Sequence, residues 1–196
     1  MKRQTIIEIA LFITLIAIGV AARVSLQHLP NFAPVAGLAL FAGFFFRSRW
    51  LAMGVPLSIM AISDLFVIGG YAWWQMAVVY AMLTLPVLMR GVVRRALEPG
   101  RGKFAGFATS IGGVLGCTLL CSVLFFVVTN ALCLGWYEPT WAGVARCYTQ
   151  ALPFFRFTLY GDIVFAIATF GAYAAVTNLA GAWQPQPAVR LAKPAT

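Results

Sequence analysis

The chain has 196 residues, 62% of them hydrophobic and 10% charged, with 14 Lys+Arg against 5 Asp+Glu and a net charge of +9. Soluble domains are about half apolar and about a quarter charged, and a globule of this size cannot hide so much apolar surface from water. The composition excludes a soluble enzyme, a disordered chain and a secreted disulfide scaffold. Basic runs interleaved with aromatics, the mark of a nucleic-acid binder, are absent, so the positive charge raises the question of which side of a membrane it occupies.

A membrane-crossing helix needs ~20 mostly apolar residues. Six segments are expected, over residues 5–22, 32–46, 51–70, 73–89, 105–128 and 152–179. The first is read as a retained helix, because its apolar stretch is long for a signal peptide and no small-residue cleavage site follows. The second is short, and Pro30 and Pro34 flank or open it, which predicts a partly broken or re-entrant segment. Residues 1–182 therefore form one all-α, six-helix transmembrane domain, and the proline-containing stretch 183–196 forms a short cytoplasmic tail.

With six spans, Lys2, Arg3, Arg47, Arg49, Arg90, Arg94, Arg95, Arg101, Lys103, Arg190 and Lys193 share one side, and Arg23 and Arg146 lie on the other. Arg156 falls just inside the sixth span. Under the positive-inside rule this places both termini in the cytoplasm of a bacterial inner-membrane protein. Anionic lipid headgroups are natural neighbours of those positives.

Ionisable groups inside a membrane are costly and are functional candidates. Asp64 lies near the outer end of the third segment, Arg156 near the outer start of the sixth, and Asp162 six residues deeper. Arg156 and Tyr160, four apart, share a helix face, whereas Arg156 and Asp162 do not. Arg156 is therefore expected to pair with Asp64, leaving Asp162 to bond elsewhere. Tyr71, Trp73, Trp74, Trp136, Tyr137, Trp141 and Tyr148 crowd the same side, as an aromatic belt or as stacking surfaces of an outward-open pocket. Glu8 is expected to snorkel to the cytoplasmic interface.

His28 is the sole histidine. It suits a cap or a pocket wall, and no metal cluster, catalytic triad or phosphate loop is present, so neither enzymatic activity nor a cofactor is expected. Cys117 and Cys121 read as small hydrophobes; Cys133 and Cys147, in the outer connection, are free to bridge or not. Small residues at four-residue spacing (Ala17 and Ala21, Ala33 and Gly37, Ala39 and Gly43, Gly112 and Gly116) predict close helix packing.

Three stretches carry a family resemblance: Leu29-Pro-Asn-Phe-Ala-Pro-Val-Ala-Gly-Leu-Ala-Leu-Phe-Ala-Gly43, Val55-Pro-Leu-Ser-Ile-Met-Ala-Ile-Ser-Asp-Leu65 and Cys147-Tyr-Thr-Gln-Ala-Leu-Pro-Phe-Phe-Arg-Phe-Thr-Leu-Tyr-Gly-Asp162. Over residues 5–180 the chain resembles a bacterial family of six-helix membrane proteins related to the S components of energy-coupling-factor (ECF) vitamin transporters. Within that group it is similar to the solitary BtuM-type cobalamin transporters. The resemblance implies a bundle that captures a vitamin, cobalamin-like, from the outer side. Its ligand-binding positions would be His28, Asp64, Arg156 and Asp162, with Tyr71, Trp74, Tyr80 and Tyr160 beside them. Ala17 and Ala21 would mark the docking face for an ECF coupling subunit with its ATPases. One departure stands out: the cobalamin carriers use a cysteine near the start of the fourth helix, whereas residues 73–83 hold Tyr80 and no cysteine. The alternative reading is a structural or assembly protein whose polar residues brace the bundle.

The topology is tested by a reporter fused after Thr196. Alkaline phosphatase, which needs export, should be inactive there, and a green fluorescent reporter should fluoresce; the opposite pattern overturns the assignment.

Overall fold

Backbone amides in an apolar run find no water in a bilayer, and a helix is the one open-ended structure that satisfies them within a single segment. The computed structural model describes residues 2–29, 31–32, 34–69, 72–97 and 103–182, and these are helical apart from short connections. In order they are α1 (Lys2–Ser25), α2 (Val35–Phe45), α3 (Arg49–Ser63), α4 (Trp73–Leu88), α5 (Arg90–Ala96), α6 (Lys103–Ala131) and α7 (Trp141–Ala182). A π-helical stretch, Asp64–Ile68, prolongs α3, and a 3-10 turn, Leu134–Trp136, follows α6. Five helices are long and apolar enough to cross a membrane, with α4 and α5 joined as Trp73–Ala96. Together with α2 they make six. Tyr71, Ala33 and the 183–196 tail lie outside the described residues.

The expected segments recur with two changes. The last helix starts eleven residues earlier than expected, at Trp141, because Thr140 caps it: its Oγ1 accepts from Gly143 N at 3.1 Å, the usual role of a threonine at a helix N-cap. Arg146, Cys147 and Tyr148 therefore sit on α7 and not in a loop. The second change is α2. At 1.5 Å per residue its eleven residues reach about 16 Å, roughly half of a hydrocarbon core.

α2 is apolar all round, as a helix enclosed by protein must be. Val35, Leu38, Ala39, Leu40 and Ala42 are sealed from solvent, and α3, α4 and α7 pack on it from three sides. Lipid is as apolar as leucine, so close packing and internal hydrogen bonds hold such a bundle together in a membrane. Two glycines allow the closest approaches. A Cβ on Gly37 would meet Ala166 N at 2.8 Å and Asp162 O at 2.9 Å on α7, and one on Gly43 would meet Val87 Cα at 2.9 Å on α4. Gly112 and Gly116, expected to pack likewise, have nothing within 4 Å; the contact on α6 falls on the intervening face, where Gly113 meets Ala96.

The far end of α2 leaves carbonyls without intrahelical partners. Arg94 donates from Nε and Nη2 to Phe44 O at 3.0 and 2.8 Å and from Nη2 to Phe46 O at 2.9 Å. Arg90 donates to Arg47 O at 2.9 Å. Two arginines of the topogenic set thus also cap α2, whose negative dipole end they complement. An aromatic cluster closes this end, with Phe41 edge-on to Phe170 at 5.3 Å and Phe44 edge-on to Tyr173 at 5.2 Å.

Gly37→Leu should destabilise the purified protein by about 1–3 kcal/mol, the cost of overpacking against backbone that cannot yield, read as a lowered unfolding midpoint in detergent. Gly112→Leu, with open space beside it, should leave the midpoint unchanged within error.

Candidate functional site

Three helices meet at Asp64. The carboxylate stands where α3 passes into the π-helical stretch, which ends when Gly69 N donates back to Asp64 O at 3.0 Å. Gly69 adopts φ 85°, a left-handed turn that glycine enters without steric cost. Single π-turns of this kind re-aim side chains and recur at functional sites. Here the turn presents Asp64, 3% exposed, to α1 and α4. Arg23 Nη2 lies 2.9 Å from Oδ1, out of line for a directed hydrogen bond, and Tyr80 Oη donates to Oδ2 at 2.9 Å. Arg23 Nη1 donates to Ser63 Oγ at 2.8 Å and lies against Met60 Sδ. An ion pair in a membrane-embedded bundle must be compensated at close range, and this one is.

A second polar contact joins α6 and α7. Ser122 Oγ lies 2.6 Å from Asp162 Oδ2, and both residues are buried.

Between these two groups lies a cavity of about 480 Å³, within the ~300–1,000 Å³ range of small-molecule sites. Its floor is the start of α2, Val35 and Ala36. Gln27, Leu29, Asn31 and Phe32, from the connection between α1 and α2, cover it, and Asn31 holds φ 61° to make the turn. Arg23 and Met60 form one wall; Thr129, Asn130, Thr158 and Asp162 form the opposite one. Phe125, Val79, Leu83 and Cys133 complete the lining. The cavity thus sits at the arginine-poor end of the bundle, above the helix that is too short to fill the depth.

The expected site residues divide around this space. Asp162 lines it, and Asp64 with Tyr80 stands one contact behind, holding Arg23 on the wall. The expected pairing of Arg156 with Asp64 is incorrect. Arg23 occupies that position, while Arg156 is exposed with its guanidinium 4.8 Å over the Phe157 ring. Tyr160, Trp74 and His28 are exposed and do not line the cavity either; His28 Nδ1 is 3.1 Å from Ser25 O. Tyr71 lies outside the described residues. The rings that face the space are Phe32 and Phe125, not the tryptophans, of which Trp73, Trp136 and Trp141 project outward at 80%, 71% and 90% exposure, as an interfacial belt does.

Gln27, Asn31, Thr129, Asn130 and Thr158 were not singled out from the sequence. Gln27, Asn31, Thr129 and Asn130 share one signal, a polar side chain within a turn or two of an arginine-poor helix end, whereas Thr158 lies well inside α7. Cys133 and Cys147 are free thiols, with Cys147 buried and Cys133 on the cavity wall. Among the described residues no group of three His, Cys, Asp or Glu could hold a metal ion.

The chain belongs to a family described as a family of unknown function (DUF6580), whose model matches residues 3–186. No curated protein and no solved structure matches it.

Removing one member of a buried ion pair costs about 3–5 kcal/mol where both charges are sealed. Arg23 is 14% exposed, so Asp64→Asn should cost less, about 2–3 kcal/mol. The double variant Arg23→Met with Asp64→Leu should recover most of that loss. Unfolding midpoints of the three proteins check this, and equal loss in the single and double variants would contradict the pair's role.

Proposed function

We propose that this member of the family is a substrate-binding and translocating subunit for vitamin uptake in a bacterial inner membrane, with no enzymatic activity of its own. The observation that carries the reading is the 480 Å³ cavity, walled by amides, hydroxyls, two ionisable groups and two phenylalanine rings at one end of the bundle. Such a mixture of apolar faces and a few convergent polar groups is what small-molecule sites present. A bracing network alone would not need an open space.

In this reading the arginine-poor end faces outward and both termini face the cytoplasm, in keeping with the distribution of Lys and Arg. The space suits a vitamin of modest size. A whole corrinoid, the substrate implied by the family resemblance, is larger than a space of about 480 Å³, and the thiol on the cavity wall is that of Cys133 rather than one on α4. Coupling to an ECF subunit and its ATPases would use α1, which packs inward through Leu15 and Gly19 and leaves Ala17 and Ala21 exposed.

The alternative, a structural or assembly protein, draws on the Arg23–Asp64–Tyr80 contact, which ties α1, α3 and α4 together. The two readings separate on binding. Purified protein titrated with a panel of thiamine, riboflavin, biotin, pyridoxine and cobalamin should bind at least one. The variant Ala36→Trp, which fills the cavity floor, should abolish that binding without loss of the folded, monodisperse species. Failure of every vitamin to bind supports the bracing role instead.

A further inference from the structure

Two side chains of the charged residue types line the cavity, Arg23 and Asp162, and they are not equally compensated. Arg23 is matched by Asp64 at 2.9 Å, and both its terminal nitrogens are turned toward residues 60–64. Asp162 is 3% exposed, and no Lys, Arg or His among the described residues comes within ion-pairing distance of it. Its Oδ2 has Ser122 Oγ at 2.6 Å, but that hydroxyl's single proton also has Thr118 O at 3.0 Å to bond. Its Oδ1 has no hydrogen-bond partner among the described residues, yet it is not sealed in protein, as Asp64 Oδ1 is. Asp162 itself lines the cavity.

A buried carboxylate without a cation is a costly arrangement, relieved either by a proton or by a partner of opposite charge. The first turn of α2 also faces the space and offers roughly half a positive charge. None of its N–H groups donates to Asp162, however, so the carboxyl group keeps its own proton in the empty cavity or gives it up to a cation that enters. An inorganic ion fits poorly, since hard cations gather about six or more oxygen ligands and no acidic cluster stands near. Phe32 and Phe125 line the same cavity, and aromatic rings attract organic cations.

We propose that the ligand of this cavity is an organic monocation, an ammonium or a nitrogen-heterocycle cation on an aromatic or apolar body. Its charge lies against Asp162 and its body against Phe32 and Phe125. The neutral polar parts of the ligand then meet Asn31, Asn130 and Thr158. This inference rests on the reading of the cavity as a ligand site and assigns that site's substrate class.

The test is a charge series on the full-length protein in detergent, by calorimetric titration with three probes of similar shape: benzyltrimethylammonium, neutral N-benzylacetamide and phenylacetate. The ammonium should bind about tenfold or more tightly than either of the others, a difference of the size expected for one charged contact. Asp162→Asn should reduce its affinity about as much, and Ala36→Trp should abolish it. If Asp162→Asn fails to fold, the charge series on the unaltered protein decides alone. Binding that Ala36→Trp blocks but that ignores probe charge overturns the cation assignment and leaves the cavity as a ligand site. Absence of binding by all three probes, with no vitamin bound either, overturns both.

Discussion

An eleven-residue helix cannot cross a bilayer, and the rest of the bundle is arranged around that shortfall. α2 is enclosed by α3, α4 and α7, and at eleven residues it is too short to span a hydrocarbon core. At one end Arg90 and Arg94 bring donors to its last carbonyls. At the other, residues 26–29, 31 and 32 run as turns and irregular backbone, and several of them line the cavity. Such backbone is tolerated where it lines a cavity or is enclosed by protein. The space above α2 is therefore a consequence of the helix's length, and the polar residues around it are those that can occupy such a position.

Charge within this space is divided between two arrangements. Arg23, Asp64 and Tyr80 form a closed set that links three helices and places a guanidinium on the wall at little net charge. Asp162 has a serine for company and lines the cavity. The first arrangement is that of a brace. The second leaves a buried carboxyl group with no countercharge among the described residues.

Much of the architecture was legible in the residues. Long apolar runs mark helices because no other open structure hides their amides, and five of the six expected segments are long enough to cross. The second, which Pro30 and Pro34 flank or open, is short in the sequence and shorter still as a helix, at eleven residues. Gly37 and Gly43 could be recognised by spacing, but Gly112 and Gly116 share that spacing without a neighbour: the pattern says that a backbone can be approached, not that one is. Thr140 before Trp141 is a capping signal, and it starts the last helix within the aromatic-rich connection.

Asp64 and Asp162 could be singled out by the cost of an acid in an apolar run, whichever way the bundle packed. Their partners could not. Arg23 and Arg156 are equally plausible from position along the chain, and only the rotation of α1 against α3 decides that Arg23 meets Asp64 while Arg156 faces outward. The same holds for Gln27, Asn31 and Asn130, ordinary polar residues near helix ends until a short α2 leaves a space beneath them. Sequence alone determines which segments are helical and which charges are expensive, since both follow from local chemistry. Which expensive charge is neutralised and which is left open is decided by packing between helices far apart in the chain, and no local pattern records it.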